Sequence, residues 1–377
     1  MKTRHRVFTI ITLIVFTTCF ASLAEKATQH DMSLMTCDEL KQPRLTAIFK
    51  PFELLGGIAG IVTGNRSACV YSDTAYLIVD EQWNIIFRHS INHPDIQCDI
   101  PFINHVLYKN DVYYLLVFDH STHQSYIIAH PTTNEPQYGK TIYKEIFYFD
   151  TEEDIYLMTG LDEKLSPWTG GITSKGETLW EIQSVSNEFI PKYGFIYDGK
   201  FYLINNSPCQ AAFLVTIVNR DGQIMTSKEF QFPTSSLQVN TTHFDFFHMD
   251  VSSKGIALFG QQLSYNDCFG LYIYIDAELN LIQFQLYNQY RRIQSAVPTE
   301  KGYLMLALSH NELGFQNSKH IINEDAVVLY PLERQPNKYI PVGIVSDSDN
   351  HLYIFGLLFE ADYLPEPSAF ISKMILE

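Results

Sequence analysis

The stretch "VSDSDNHLYIFG", Val345–Gly356, runs from polar to apolar, and its two readings lead to different proteins. Asp347, Asp349 and Asn350 place oxygen-bearing side chains at the spacing that opens a calcium loop. Leu352 to Phe355 follow at once as an apolar run, where such a loop needs further oxygen ligands. The other reading is a tight turn between two strands, because Asp, Asn and Gly tolerate the positive φ angles that hairpin turns demand.

Five other segments decide the matter. "VLYKNDVYYLLVF" (Val106–Phe118), "FYFDTEEDIYLMTG" (Phe147–Gly160), "GFIYDGKFYLINN" (Gly194–Asn206), "HMDVSSKGIALFG" (His248–Gly260) and "AVPTEKGYLMLAL" (Ala296–Leu308) each join two apolar strands through a polar turn. None of the five keeps the Asp-x-Asp spacing, so the shared feature is the hairpin and Asp347 to Asn350 read as turn formers. The centres of the second strands, Tyr114, Tyr156, Tyr202, Ala257, Leu304 and Tyr353, recur every 40 to 55 residues or so. A weaker seventh copy lies in "LLGGIAGIVTGN", Leu54–Asn65.

A second hairpin family falls between these markers, at Ala75–Ile91, Gly170–Ile182, Phe213–Phe230 and Leu271–Leu286. Each repeat therefore offers four strands, which is the pattern of a β-propeller blade that buries its faces against its neighbours. The expected fold is all-β, a closed β-propeller of four-stranded antiparallel blades over residues 44–377. A mature length of about 350 residues at about 48 per repeat gives seven blades, with six and eight as alternatives. "AFISKMILE" at the C-terminus supplies only a third strand, and Arg44–Phe52 is expected to add the outer one, closing the ring through the chain ends.

The first residues read as a signal peptide over 1–24, followed by an N-terminal arm over 25–43. Lys2, Arg4 and Arg6 precede an apolar run from Val7 to Phe20, with Ser22 and Ala24 before the cleavage point. The run falls short of the roughly 20 residues that span a bilayer, so a secreted or periplasmic protein with no stable membrane insertion is expected. The net charge of −16 argues against nucleic-acid binding, which needs basic surface. Asn65, Asn205 and Asn240 open glycosylation sequons. Export leaves Cys37, Cys69, Cys98, Cys209 and Cys268, in no zinc or haem spacing. Cys209 and Cys268 both precede third strands of adjacent repeats, and a disulfide between them is expected. Cys37 paired with Cys69 or Cys98 would tie the arm to the first blade.

"TSKGETLWEI" and "NRDGQIMTSKEF" resemble the outer hairpins of quinoprotein-like and other bacterial propeller repeats, in which a turn glycine is followed by an apolar residue and often a tryptophan. The resemblance implies a propeller across most of the mature chain. Only Trp180 occupies the tryptophan position, and no cofactor is expected.

Propellers bind ligands at the channel mouth, and that analogy gathers His105, Lys144, Glu145, Lys192, Tyr193, His243, Asp245, Arg291 and Arg292 near the starts of the innermost strands. His105, His243, Asp245, Arg291 and Arg292 are the candidate ligand-binding residues, the arginine pair suiting an anion. In "HFDFFHMD", His243–Asp250, strand alternation puts His243 and Asp245 on one face and His248 and Asp250 on the other. No metal site is expected there, nor at His120, His123 and His130, which read as a solvated loop. The expected function is binding of a protein or ligand by a monomeric propeller. The alternative is a propeller enzyme, a hydrolase, lyase or degenerate quinoprotein, with titratable groups converging on the axis.

Overall fold

A computed structural model describes residues 44–46, 58–91, 101–119, 121–139, 142, 144–183, 188–232, 243–264, 267–299, 302–309, 319–323, 328–332, 339–347, 349–358 and 368–375. The expected signal peptide, Cys37, Cys98 and His120 lie outside these residues. After β1 (Arg44–Thr46) the chain runs four strands at a time: β2 (Gly60–Thr63), β3 (Ser67–Tyr71), β4 (Ala75–Asp80) and β5 (Ile85–Ser90); then β6 (Pro101–Lys109), β7 (Val112–Asp119), β8 (Gln124–Pro131) and β9 (Gln137–Tyr138). The third group is β10 (Glu145–Glu152), β11 (Ile155–Leu161), β12 (Pro167–Thr173) and β13 (Thr178–Gln183), and the fourth β14 (Ile190–Tyr197), β15 (Lys200–Asn206), β16 (Ala212–Val218) and β17 (Ile224–Gln231). Next come β18 (His243–Ser252), β19 (Gly255–Leu263), β20 (Cys268–Asp276) and β21 (Leu281–Tyr287), then β22 (Tyr290–Thr299), β23 (Gly302–Ser309), β24 (Lys319–Asn323) and β25 (Val328–Leu332). The last three are β26 (Tyr339–Ser346), β27 (Leu352–Leu358) and β28 (Ser368–Ile375).

Among the described residues these strands form seven four-stranded antiparallel sheets, six of them in plain sequence order. The remaining sheet has the order β1-β28-β27-β26, with Arg44 opposite Ile375. Both hairpin families read from the sequence are present. The weakest copy is shifted, since its hairpin is β2–β3 and extends to Tyr71.

The turn chemistry explains why the hairpins were legible. Asn110 and Asp111, and likewise Asp198 and Gly199, have positive φ between paired residues, as two-residue hairpin loops require. The longer turns reuse one device. Asp80, Asp162, Asn219, Asp276 and Asp347 each accept, on one side-chain oxygen, the backbone N–H groups two and four residues on. The residue three on takes positive φ each time: Trp83, Leu165, Gly222, Leu279 and Asn350. Asp347 thus spends its carboxylate on Asp349 N, His351 N, the His351 ring and the Tyr353 hydroxyl. It is a turn organiser, as the repeat comparison predicted.

The apolar core lies between sheets. Leu77, Val79 and Trp83 pack against Tyr353, Phe355 and Ile371, so the first sheet shares a cluster with the last. Cys69, Tyr76 and Ile78 meet Val106, Tyr113 and Leu115 in the next interface. Further clusters join the β6–β9 sheet to β10–β13, that sheet to β14–β17, that one to β18–β21, and the latter to β22 and β23. Trp180 on β13 lies against Phe201, and the backbone of Gly222, in the turn after β16, closes on its ring. At roughly 1.5–3 kcal/mol for each fully buried large apolar side chain, these interfaces dominate the stability of the fold.

The expected Cys209–Cys268 disulfide is not formed, and both thiols are free. The two positions are not equivalent. Cys268 begins β20 and is paired in register with Leu263, whereas Cys209 is exposed in the turn before β16, its N–H donating to Ser207 Oγ.

The first strands of six sheets share a β-bulge near their starts. One extra residue enters at Asn104 in β6, Phe147 in β10, Lys192 in β14, Phe247 in β18, Arg291 and Gln294 in β22, and Val342 in β26. Opposite the bulge the second strand carries Gly160, Gly260 or Gly356 in three sheets. A Cβ at Gly160 would collide with the Glu145 carbonyl, and one at Gly260 with that of Asp245. Gly160→Ala and Gly260→Ala are each expected to lose about 1–3 kcal/mol in urea unfolding. Wild-type stability in both variants would show that the bulges do not need glycine opposite them.

Candidate binding surface at the strand-entry end

The innermost strands touch one another through residues at matching positions. Asn104 donates to the Ile146 carbonyl, Tyr193 OH to the Phe246 carbonyl, and Ser295 Oγ to the Ile344 carbonyl. Donor and acceptor sit at similar depth in their strands each time, so these strands run in one direction and begin at one end. In four of these strands the residue after the first bulge reaches toward a neighbouring sheet. His105 lies on the Tyr148 ring at 4.0 Å, and Tyr148 meets Tyr193 edge-on at 5.2 Å.

Burial sets the protonation of this layer. His105 and His248 are both held down to about 4 by loss of water around the charged ring, with Asp250 opposing the fall at His248. His105 Nε2 is buried and makes no hydrogen bond among the described residues. Burial likewise pushes the Tyr148 and Tyr193 phenols up. Asp150 is raised by burial too, against the pull of Lys109 at 3.6 Å and a hydrogen bond from Ile196 N.

Nearer the strand starts the charges gather. Lys192 Nζ is 3.1 Å from Asp245 Oδ1, and Gln261 Nε2 donates to Asp245 Oδ2 at 3.5 Å. The Arg292 guanidinium lies over the Phe247 ring at 5.2 Å, half-buried, while Arg291 is exposed. Burial, then Arg291, lowers the Arg292 pKa, with Asp245 acting in the opposite sense. Asp245 and Arg292 are thereby brought together with Lys192 from three adjacent sheets. His105 belongs instead to the aromatic layer beside Tyr148. His243 is half-buried two residues before Asp245, and among the described residues it has no hydrogen bond or ion pair. Lys144 turns to the Trp168 ring and Glu181, and Glu145 to His123.

Two sequence expectations change. The bulge at Phe247 resets the alternation of β18, so His243, Asp245, His248 and Asp250 oppose Leu263, Gln261, Phe259 and Ala257 and all share one face. His130 is not in a solvated loop. It lies in β8, fully buried, with Nδ1 3.0 Å from the Tyr76 hydroxyl and its pKa held to about 4 by burial and then by His89. No group of three or more metal-ligating side chains occurs among the described residues. Tyr148, Phe247 and Gln261 were missed by sequence reading, and the available signal was the polar or aromatic residue one place after a broken alternation.

No protein-family model matches the chain, and no curated protein matches it. Solved structures do. Virginiamycin B lyase from Staphylococcus aureus is 12% identical with a TM-score of 0.54, covering 89% of this chain and 100% of that one. The WD40 domain of Neurospora crassa Pan2 is 10% identical with a TM-score of 0.53, over 85% and 89% of the two chains. Extracellular domains 1–2 of Drosophila Semaphorin 1b are 8% identical with a TM-score of 0.53, over 89% and 87%. At these identities the likeness defines the fold, a β-propeller of four-stranded antiparallel blades, with an enzyme and binding domains alike among its neighbours.

The three cool-titrating histidines give a pH prediction. Neutral in the fold down to about pH 4, they take up protons near 6.5 when unfolded, so the unfolded state binds more protons between those values. Stability is therefore full above about pH 6.5 and falls as the pH drops toward 4, by up to roughly 3 kcal/mol for each histidine. The Asp162, Asp276 and Asp347 carboxylates, held below their ordinary range by turn hydrogen bonds (at Asp347 against the opposing effect of burial), add losses only below about pH 4. Urea midpoints at pH 7.5 and 5.0 check this, and a His105→Gln/His248→Gln double variant should flatten the difference. An unchanged slope in that variant would remove the histidines as its cause.

Proposed function

We propose that this chain is an exported β-propeller that binds a protein or ligand partner at the end of the ring where β14, β18 and β22 begin. In this reading the seven sheets are seven blades, the ring is closed by β1 against β28 and by the first sheet against the last, and the protein acts as a monomer. The basic n-region, apolar run and Ala24 of the first residues support export. One observation carries the binding site: Lys192, Asp245, Phe247 and Arg292 converge from three consecutive sheets beside exposed Arg291. Bulges offer a reason for the placement, since they re-aim side chains at sheet edges and binding sites.

Two measurements test the proposal. N-terminal sequencing of the protein from the periplasm or medium should begin at Glu25, and an intact Met1 there would refute cleavage. Immobilised protein should retain a specific partner from the envelope fraction or medium, with retention reduced about tenfold by Arg291→Glu, one buried-interface contact being worth 1.4 kcal/mol or more. Arg220→Glu, in an outer turn where Arg220 pairs with Glu153, should leave retention unchanged. Equal retention by both variants would move the site away from the mouth.

A further inference from the structure

We infer that Lys192, Arg291 and Arg292 form a receptor for an oxyanion, a phosphate or carboxylate group carried by the ligand; the inference rests on the binding reading above and names the chemistry recognised there. Over their first three residues β14, β18 and β22 contribute three cations, Lys192, Arg291 and Arg292, against a single carboxylate, Asp245. The surplus stands out in a chain whose net charge is −16. Asp245 does not cancel it. One of its oxygens takes Lys192 and the other Gln261, which leaves Arg292 without a carboxylate contact among the described residues.

Arg292 is the telling group. Its Nε is buried and has no hydrogen-bond partner among the described residues, while its guanidinium is stacked over Phe247. Withholding water from a guanidinium without supplying an acceptor is costly, and stacking on a ring face recovers only part of that cost. Stacking also fixes the plane of the guanidinium, leaving its edge to meet an oxyanion through two parallel N–H donors. Arg291 and Lys192 are the extra residues of their bulges, so both are displaced from the regular alternation beside it. The burial and like-charge neighbour that lower the Arg292 pKa are both relieved by an incoming anion.

Isothermal titration of the full mature chain with sodium pyrophosphate and, separately, with citrate tests the inference and distinguishes the two sources of the oxyanion. A saturable one-site isotherm is expected with at least one of them, weakening with added salt. Arg291→Gln and Arg292→Gln should each weaken binding about tenfold or more, the loss of one charge-assisted contact. Asp245→Asn should tighten it several-fold by removing the competing carboxylate, a gain that misfolding cannot imitate. Arg291 is exposed, so its variant keeps the test valid if Arg292→Gln unfolds. Binding of neither anion, equal binding by wild type and Arg291→Gln, or weaker binding by Asp245→Asn would overturn the inference. Partner capture that survives those results would leave the binding reading standing without the oxyanion, whereas anion binding without a captured protein would keep the oxyanion receptor and remove only the protein partner.

Discussion

The five sheets from β2–β5 to β18–β21 are apolar on both faces, and none of them can cover itself. Leu77 and Val79 look one way toward the last sheet while Tyr76 and Ile78 look the other way toward the second. The same alternation runs through Leu203 and Ile204, or Leu258 and Phe259. A sheet of this kind is stable only between two others, which is why the strands of one repeat have no independent existence and most of the polar chemistry gathers at strand ends, turns and the innermost strands.

Confinement of polar groups shapes the mouth. Side chains of the innermost strands are crowded by their neighbours, so a titratable group there is either drained of charge, as at His105 and His248, or held by a partner, as at Lys192 and Asp245. Arg292 meets neither condition through a hydrogen bond, and an aromatic face takes that role. The bulges make this possible by lifting single residues out of a ladder that would otherwise point them into an interface.

The hairpins were legible because their turns use local chemistry. A side-chain oxygen accepting N–H groups two and four residues ahead, as at Asp347, or a two-residue loop such as Asn110–Asp111, is written within five residues, and so the fold could be read from Val345–Gly356 and the other hairpins. The bulges were not legible, because the extra residue is defined by what opposes it on the next strand; Gly160 and Gly260 mark the place only once the register is known. Missing the bulge at Phe247 divided His243–Asp250 between two faces that are one. The disulfide failed for a related reason, since loops equivalent in order differ in length, and Cys209 and Cys268 stand at different heights. The meeting of Lys192 with Asp245, 53 residues apart, follows from blade spacing and could be guessed only as a shared end of neighbouring innermost strands.

Thr63 Oγ1 donates to the Ser346 carbonyl across 283 residues of chain, beside the cluster that joins the first sheet to the last. No contact of that kind forms until nearly all of the polypeptide is present. Loop closure over such a length is a modest entropic cost at equilibrium but a slow search in time. The leading sheet therefore waits with one greasy face uncovered while its neighbours assemble, and a chain interrupted before Ile371 leaves that face exposed for good. Such a protein tolerates a truncated product poorly, since the fragment keeps that apolar face in water.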